Sequence, residues 1–408
     1  MFKFFPIKLI ISTIVITALH QADAHADKLE VLKEKISRLV TNGSVILHNE
    51  NGKRLISLNA DKLFIPASTI KIVTSTIALD LLGKDYRFKT EFYQNDNRSL
   101  AVKGWGDPYL ISEEIQRIAK ELKNKGIDTI KNLILDQSSF EPLITIPGAS
   151  KTLNPYDAAN GALITNFNTL NLRKGTEGTL YSAEAVTPLT PLAITKGHLV
   201  QIGKTQRINL SLNRNDCITY AGELFCAIFK DNGITIHNEK STTTTLDSSW
   251  KLIYTHYNSH SMVDITKGLL KYSNNFIANQ LFLTIGAEKQ GYPATLQKGK
   301  GVFEDFIRTR LKINTEQLTM LEGSGLSRDN KVTANVLIGL LENRKDIAEL
   351  LPEKRNALVK SGTLTGVSNY AGYIKTNQGL CPFVIMLNQN SNYRDKILDL
   401  LEQYCTGK

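Results

Sequence analysis

Three short polar groups carry residue types that work together in nucleophilic catalysis. Ser68-Thr69-Ile70-Lys71 sets a hydroxyl and an amine three residues apart, and at a helix start that spacing puts both on one face. A serine hydroxyl needs a base before it attacks a carbonyl. An amine can be that base when burial and nearby positive charge depress its pKa. The free N–H groups of a helix start also suit a site where an oxyanion develops. The same spacing recurs at Ser248–Lys251, but in strand-like sequence where the two ends do not share a face. Ser273-Asn274-Asn275 offers a hydroxyl that can relay a proton and an amide that can hold both a lysine and a substrate amide. Lys360-Ser361-Gly362-Thr363 ends an apolar run, so it reads as a strand. A small residue there lets an extended peptide lie alongside, with Lys360 supplying positive potential and Thr363 a hydroxyl and a backbone N–H. Taken singly, the three groups read as well as a helix start, a polar turn and a strand end.

The surrounding elements must bring these groups to one place. Leu29, Leu32, Ile36, Leu39 and Val40 have helical spacing. Two strand-like runs then flank Asn51-Gly52, a hairpin signal. A loop ending at Pro66 leads into a long apolar helix closed by Gly83. From 89 to 249 short β-like runs alternate with turn residues, interrupted by one helical stretch, Ile111 to Lys123. Helical texture returns after 260, and the chain ends in adjacent strand-like runs and an amphipathic helix, Tyr393 to Tyr404. The expected organisation is an α/β domain formed by 27–88 and 250–408, interrupted by a mixed α+β, β-rich domain at 89–249.

The 408 residues allow two to three domains, and 42% hydrophobic with 22% charged residues excludes a disordered chain. The net charge of +10 suits an anionic partner, yet no nucleic-acid reading module or dense basic block is present. Residues 1–26 combine Lys3 and Lys8, a short apolar core from Leu9 to Leu19, and Ala24-His25-Ala26. This pattern predicts a cleavable export signal and, after cleavage, a net charge of +9 with no stable membrane anchor, since Lys3, Lys8 and Asp23 leave with it. Four cysteines, Cys217, Cys226, Cys381 and Cys405, are an even number in an oxidising space, and the sequence leaves three pairings open. No Cys/His cluster has metal-ligand spacing, and His256 and His260 lack a glutamate base between them. No metal and no cofactor is expected.

The order of the groups, Ser-x-x-Lys, then Ser-x-Asn, then Lys-Ser-Gly-Thr, resembles the signature set of penicillin-binding proteins and serine β-lactamases. The separations are 205 and 87 residues. Finer likeness points to the D-Ala-D-Ala carboxypeptidase/endopeptidase family S13, the class C low-molecular-mass penicillin-binding proteins. It rests on IPASTIKIVTSTIAL around Ser68, GWGDP at 104–108, YAGELFCAIFKDNGI, EGSGLSRDN at 322–330 and KSGTLTGVSNYAGYI, and spans about residues 30 to 400. That family houses extra domains between its first two motifs. The chain departs from its pattern at Ser361, where Thr is usual, at Glu322, where Asp is usual, and in a shorter insertion.

The resemblance implies a penicillin-binding transpeptidase-like fold, with a central antiparallel sheet flanked by helices, and an acyl-enzyme mechanism. Ser68 is the nucleophile, Lys71 its base, Ser273 the relay to the leaving amine, Asn275 the holder of the substrate amide, and Lys360 the keeper of positive potential. The backbone N–H groups of Ser68 and Thr363 would form the oxyanion hole. Ser361, Gly362, Thr363 and Arg328 are placed around the terminal carboxylate. Asp136 matches a position that receives a diaminopimelate ammonium. The implied partners are peptidoglycan stem peptides and β-lactam antibiotics, not nucleic acid, and the implied location is the periplasm. In this fold a strand beside the terminal helix brings Cys381 to Cys405, leaving Cys217 and Cys226 as a second pair. A β-lactamase or esterase on the same fold is the enzymatic rival, disfavoured by the long insertion and by GSGLSR. An idle wall-binding protein is the other rival, disfavoured because all three motifs are complete.

Overall fold

A computed structural model describes residues 27–407; the expected export signal at 1–26 lies outside the described residues. The chain divides into two compact units, one joining residues up to Pro66 with Val332 onward, the other running from Ala67 to Lys331.

The first unit is built on a six-stranded sheet. Its order is Glu353–Lys354, Ala357–Leu364, Val367–Thr376, Gly379–Leu387, Gly43–His48, Arg54–Leu58, and each neighbouring pair is antiparallel. Early and late chain meet here, with Gly43 opposite Leu387 and Leu47 opposite Phe383. Every residue of Gly43–His48 is buried, so both faces of this strand are covered. Val45 and Leu47 join Leu32, Ile36, Phe383, Ile385, Leu398 and Leu401 in one core, packed with helical residues 27–37 and the helix Arg394–Thr406. Helix Ala334–Asn343 packs against the strands as well, where the Tyr373 hydroxyl donates to the Leu341 carbonyl at 2.8 Å. The hairpin expected at Asn51-Gly52 forms: Gly52 has φ +80°, and the Asn49 side chain accepts from the N–H groups of Asn51 and Lys53.

The second unit holds a five-stranded sheet in the order Thr235–Thr243, Thr129–Asp136, Leu100–Gly104, Lys89–Gln94, Lys251–Tyr257. Thr129–Asp136 runs parallel to both neighbours and the other pairs are antiparallel. Helices Ser112–Asn124 and Arg214–Asp231 contribute Ile115, Ile118, Leu122, Leu224, Phe225 and Phe229 to its core. Five further helices, Lys71–Leu81, Pro191–Lys196, Met262–Tyr272, Asn275–Gln290 and Leu296–Thr309, belong to the unit, with a small sheet formed by Thr169–Lys174, Leu180–Ser182 and Thr205–Asn209. Its limits differ from the segment limits at 88/89 and 249/250 because side chains stitch helix Asn275–Gln290 to the middle of the chain. Asn160 Nδ2 donates to Phe276 O and to Gln280 Oε1, both at 2.9 Å.

One expectation fails here. Cys217 and Cys226, the second expected pair, lie nine residues apart on helix Arg214–Asp231. Nine residues of helix rise about 13 Å and turn through half-integral revolutions, far beyond the ~7 Å limit between Cα atoms of a disulfide. The two thiols instead approach Ser211 Oγ and the Glu239 carbonyl.

Candidate active site

Ser68 lies in a 3₁₀ turn, Ala67–Ile70, that runs directly into helix Lys71–Leu81. The turn is held under backbone strain. Ala67 has φ +45°, a region that L-residues with a Cβ avoid. The helix is buried on nearly every side, from Lys71 to Leu79, so Lys71 cannot turn to solvent. Its Nζ donates to Ser68 Oγ at 2.8 Å, Asn275 Oδ1 at 2.7 Å and the Ser324 carbonyl at 2.6 Å. The Ser68 hydroxyl, the Lys71 amine and the Asn275 amide are therefore one hydrogen-bonded group.

Asn275 reaches this group just after a helix break at Ser273. Ser273 ends helix Met262–Tyr272 in the left-handed region at φ 54°, Asn274 caps the next helix by accepting from Ile277 N at 3.1 Å, and Asn275 is that helix's first residue. The second serine–lysine spacing gives no such group: Lys251 starts a strand, and its ammonium pairs with Asp96 at 3.3 Å.

The third motif lies in the first unit, on strand Ala357–Leu364. The short strand Glu353–Lys354 pairs with Leu358 and Ala357, and Val359 N donates to the Pro352 carbonyl at 2.8 Å, so from Lys360 on this is a sheet edge of the kind that accepts an extended peptide. Lys360 is buried, opposite Ala371, and Nζ donates to the Ser361 carbonyl at 2.8 Å. Burial pulls its pKa down to about 8. Ser361 is half-buried, Gly362 buried and Thr363 exposed.

A family model described as the D-Ala-D-Ala carboxypeptidase 3 (S13) family matches residues 25–179 and 183–354. The chain belongs to that family. The D-alanyl-D-alanine carboxypeptidase of Actinomadura sp. is 25% identical over 450 residues, covering 91% of this chain and 83% of that protein. The carboxypeptidase DacB of Haemophilus influenzae is 24% identical over 405 residues, 83% of each. Among solved structures, penicillin binding protein 4 of H. influenzae matches with a TM-score of 0.72 at 21% identity, over 93% of this chain and 99% of that one. A predatory endopeptidase of Bdellovibrio bacteriovorus matches with a TM-score of 0.54 at 17% identity, over 88% and 90% of the two chains. The fold is thus the penicillin-binding α/β fold expected from the motifs, in an S13 family of serine-type D-Ala-D-Ala carboxypeptidases.

In this S13 chain the residue that organises the site most extensively is Glu322, noted from sequence only as a departure. It is fully buried. Its carboxylate accepts from Ser324 N at 2.7 Å, Ser324 Oγ at 2.5 Å, Gly325 N at 2.7 Å, Ser327 N at 3.2 Å and Asn330 Nδ2 at 2.6 Å. The loop is tied to both site helices, by Thr74 Oγ1 donating to Gly323 O at 2.6 Å and Gly323 N donating to Asn279 Oδ1 at 2.8 Å. Gly325 must be glycine, since φ is +87° and a Cβ would sit 2.0 Å from the Ala67 carbonyl. The acidic residue just before Gly-Ser-Gly is the signal that could have marked this role. Arg328 is exposed on the same loop.

Asp136 is not open to a ligand ammonium. It is fully buried, it accepts from Ser138 N at 2.7 Å and Leu246 N at 3.3 Å, and Lys103 Nζ already stands 3.6 Å away. His256 donates or accepts at Glu114 Oε2, 2.8 Å away, inside the second unit's core. Cys381 and Cys405 both line one cavity of the first unit as free thiols, and Cys381 Sγ donates to Glu50 Oε2 at 3.6 Å. No helix among the described residues is long and apolar enough to cross a membrane.

Proposed function

We propose that this protein is an exported serine-type D-Ala-D-Ala carboxypeptidase of the periplasm that hydrolyses peptidoglycan stem peptides through an acyl-enzyme on Ser68, and that penicillin acylates the same residue. The observation that carries the proposal is the Lys71 ammonium shared by Ser68 Oγ, Asn275 Oδ1 and the Ser324 carbonyl. In the neutral amine, Asn275 and Ser324 accept the two N–H groups and leave the lone pair aimed at the Ser68 hydroxyl. Lys71 then takes the Ser68 proton as Oγ attacks the carbonyl between the two D-alanines. Ser273 relays that proton from Lys71 to the departing D-alanine amine, and water later releases the acyl group by the reverse path. Asn275 holds the substrate amide, Lys360 keeps the potential positive, and Ser361, Gly362 and Thr363 receive the terminal carboxylate. Cleavage of D-Ala–diaminopimelate cross-links uses the same steps with a larger leaving amine. Export is supported by residues 1–26 and by the family, whose wall substrates lie outside the cytoplasm.

Fluorescent penicillin labelling followed by peptide mass spectrometry tests this. The adduct is expected on the peptide containing Ser68, absent in Ser68→Ala and lost in Lys71→Ala, while Ser273→Ala retains slow labelling. An adduct near Ser248, or labelling of Lys71→Ala at the wild-type rate, would refute the assignment.

A further inference from the structure

The helix Arg394–Thr406 begins on a cation. That is the wrong end for one, because the partial positive charge of a helix start repels it. None of the described ion pairs takes up its charge, since the neighbouring Asp395 is held by Lys354 at 3.2 Å and by the Tyr370 hydroxyl at 3.0 Å. Arg394 instead stacks on the Tyr370 ring, 4.5 Å from its centroid, and turns toward the third motif. Nη1 donates to Thr363 Oγ1 at 2.7 Å and to the Gly362 carbonyl at 3.3 Å. Its Nε is buried and has no hydrogen-bond partner among the described residues. The stack and the two hydrogen bonds are what Arg394 gains at this unfavourable place, and the hydrogen bonds tie it to the third motif.

The polarity of that contact decides what Thr363 can do. A guanidinium has donors only, so Thr363 Oγ1 must accept from it. The hydroxyl proton is then turned away from Arg394, on a residue that is exposed at the strand edge. A hydroxyl that accepts from a cation is a stronger donor in turn. What suits such a donor is an anion, and the stacked, permanently charged guanidinium behind it adds long-range attraction.

We propose that Arg394 is a positioning residue for substrate recognition, fixing the Thr363 hydroxyl as a donor to the terminal carboxylate and thereby setting the preference for peptides with a free C-terminus. The proposal rests on the carboxypeptidase function proposed above and names the residue behind its carboxylate specificity. Sequence gave no cue to it, because Arg394 lies 31 residues from Thr363 in a helix whose pattern marks only core-facing positions.

The test compares the full-length mature enzyme with Arg394→Gln, Arg394→Lys, Thr363→Val and the Arg394→Gln/Thr363→Val double variant. Each is assayed on an N-acyl-D-Ala-D-Ala peptide and on its C-terminal carboxamide. For Arg394→Gln, kcat/KM on the free acid is expected to fall roughly 10- to 100-fold, mostly through KM, with the carboxamide changed less than about 2-fold. Arg394→Lys keeps the charge and one donor and is expected to recover part of the preference. The double variant is expected to lose no more than Thr363→Val alone. Should Arg394→Gln fail to fold, the Lys variant and Thr363→Val are compared on the same acid-to-amide ratio. Equal losses on acid and amide, or additive losses in the double variant, overturn the proposal. A wild type that takes up penicillin at Ser68 yet cleaves acid and amide equally overturns this inference alone. A wild type that neither labels nor cleaves overturns the proposed function with it.

Discussion

Glu322→Gln separates the organisation of the site from its chemistry, because it removes one charge and almost no volume. Whichever way the new amide turns, its NH₂ meets donors. At the Oε1 position it faces Gly325 N, Ser327 N and Asn330 Nδ2; at the Oε2 position it faces Ser324 N and the Ser324 hydroxyl. The second choice is milder, since the hydroxyl can rotate and accept. It still leaves one buried backbone N–H unpaired, about 1–3 kcal/mol, and turns three charge-assisted bonds into neutral ones at about 1 kcal/mol each. Relief from burying a carboxylate offsets part of this, so a net loss of about 3 kcal/mol is expected. Ser324 moves with the loop, and its carbonyl is one of the groups that hold Lys71. Acylation is therefore expected to slow about 10- to 100-fold, while Glu322→Asp, which keeps the charge, loses less on both counts. Denaturant unfolding and stopped-flow acylation by a chromogenic β-lactam measure the two effects. A Gln variant within about 0.5 kcal/mol of wild type and equally fast would refute the organising role. A less stable variant with unchanged acylation would show that the loop does not govern Lys71.

Three further outcomes are expected. Since burial lowers the Lys360 pKa to about 8, its positive charge is present below that pH and lost above it. The alkaline limb of kcat/KM should therefore fall near pH 8, and Lys360→Arg should move it upward; a limb unmoved by the Arg variant assigns it elsewhere. Stability runs the other way, because between about pH 8 and 10.5 the unfolded chain holds a proton that the folded one has released. The Lys360 contribution, a burial cost of roughly 3 kcal/mol below pH 8, should thus be relieved as pH rises through that window, as unfolding of wild type against Lys360→Met will tell. Asp136→Asn is expected to reduce stability by about 1–3 kcal/mol and to change kcat/KM equally on diaminopimelate-containing and simple peptides. A loss confined to the former would make Asp136 a ligand after all.

The elements around the motifs were legible because each rests on local pattern. The Pro66 loop and apolar helix, the Asn51-Gly52 hairpin and the late antiparallel strands all carry turn residues or a clear period. Helix Arg214–Asp231 was legible only in YAGELFCAIFKDNGI, through its likeness to the helix that closes the family's insertion, and that likeness left Cys217 outside the helix. Its cysteines were consequently paired in a way helix geometry forbids. The Ser68–Lys71 contact follows from i,i+3 spacing, whereas the contacts of Glu322 and Arg394 depend on backbone groups and residues distant in sequence. No composition or period encodes those, and Asp136 looked available only because Lys103, on the adjacent strand, has no sequence tie to it.

The close approach of Gly325 to Ala67 has a consequence for how the chain assembles. The strand pair that joins Gly43 to Leu387 closes a loop of 344 residues if nothing has formed between them. The inner unit, however, enters at Ala67 and comes back to touch it at Gly325. Once that unit has folded, only 24 residues before Ala67 and 62 after Gly325 remain free in the loop. The fourfold shortening is worth about 1.2 kcal/mol of closure entropy. A chain is synthesised from its N-terminus, so Gly43–His48 must wait for nearly all the rest before its partner Gly379–Leu387 arrives. The middle of the molecule is the part able to fold on its own schedule, and the pinched neck at Ala67 and Gly325 then hands the two distant ends to each other.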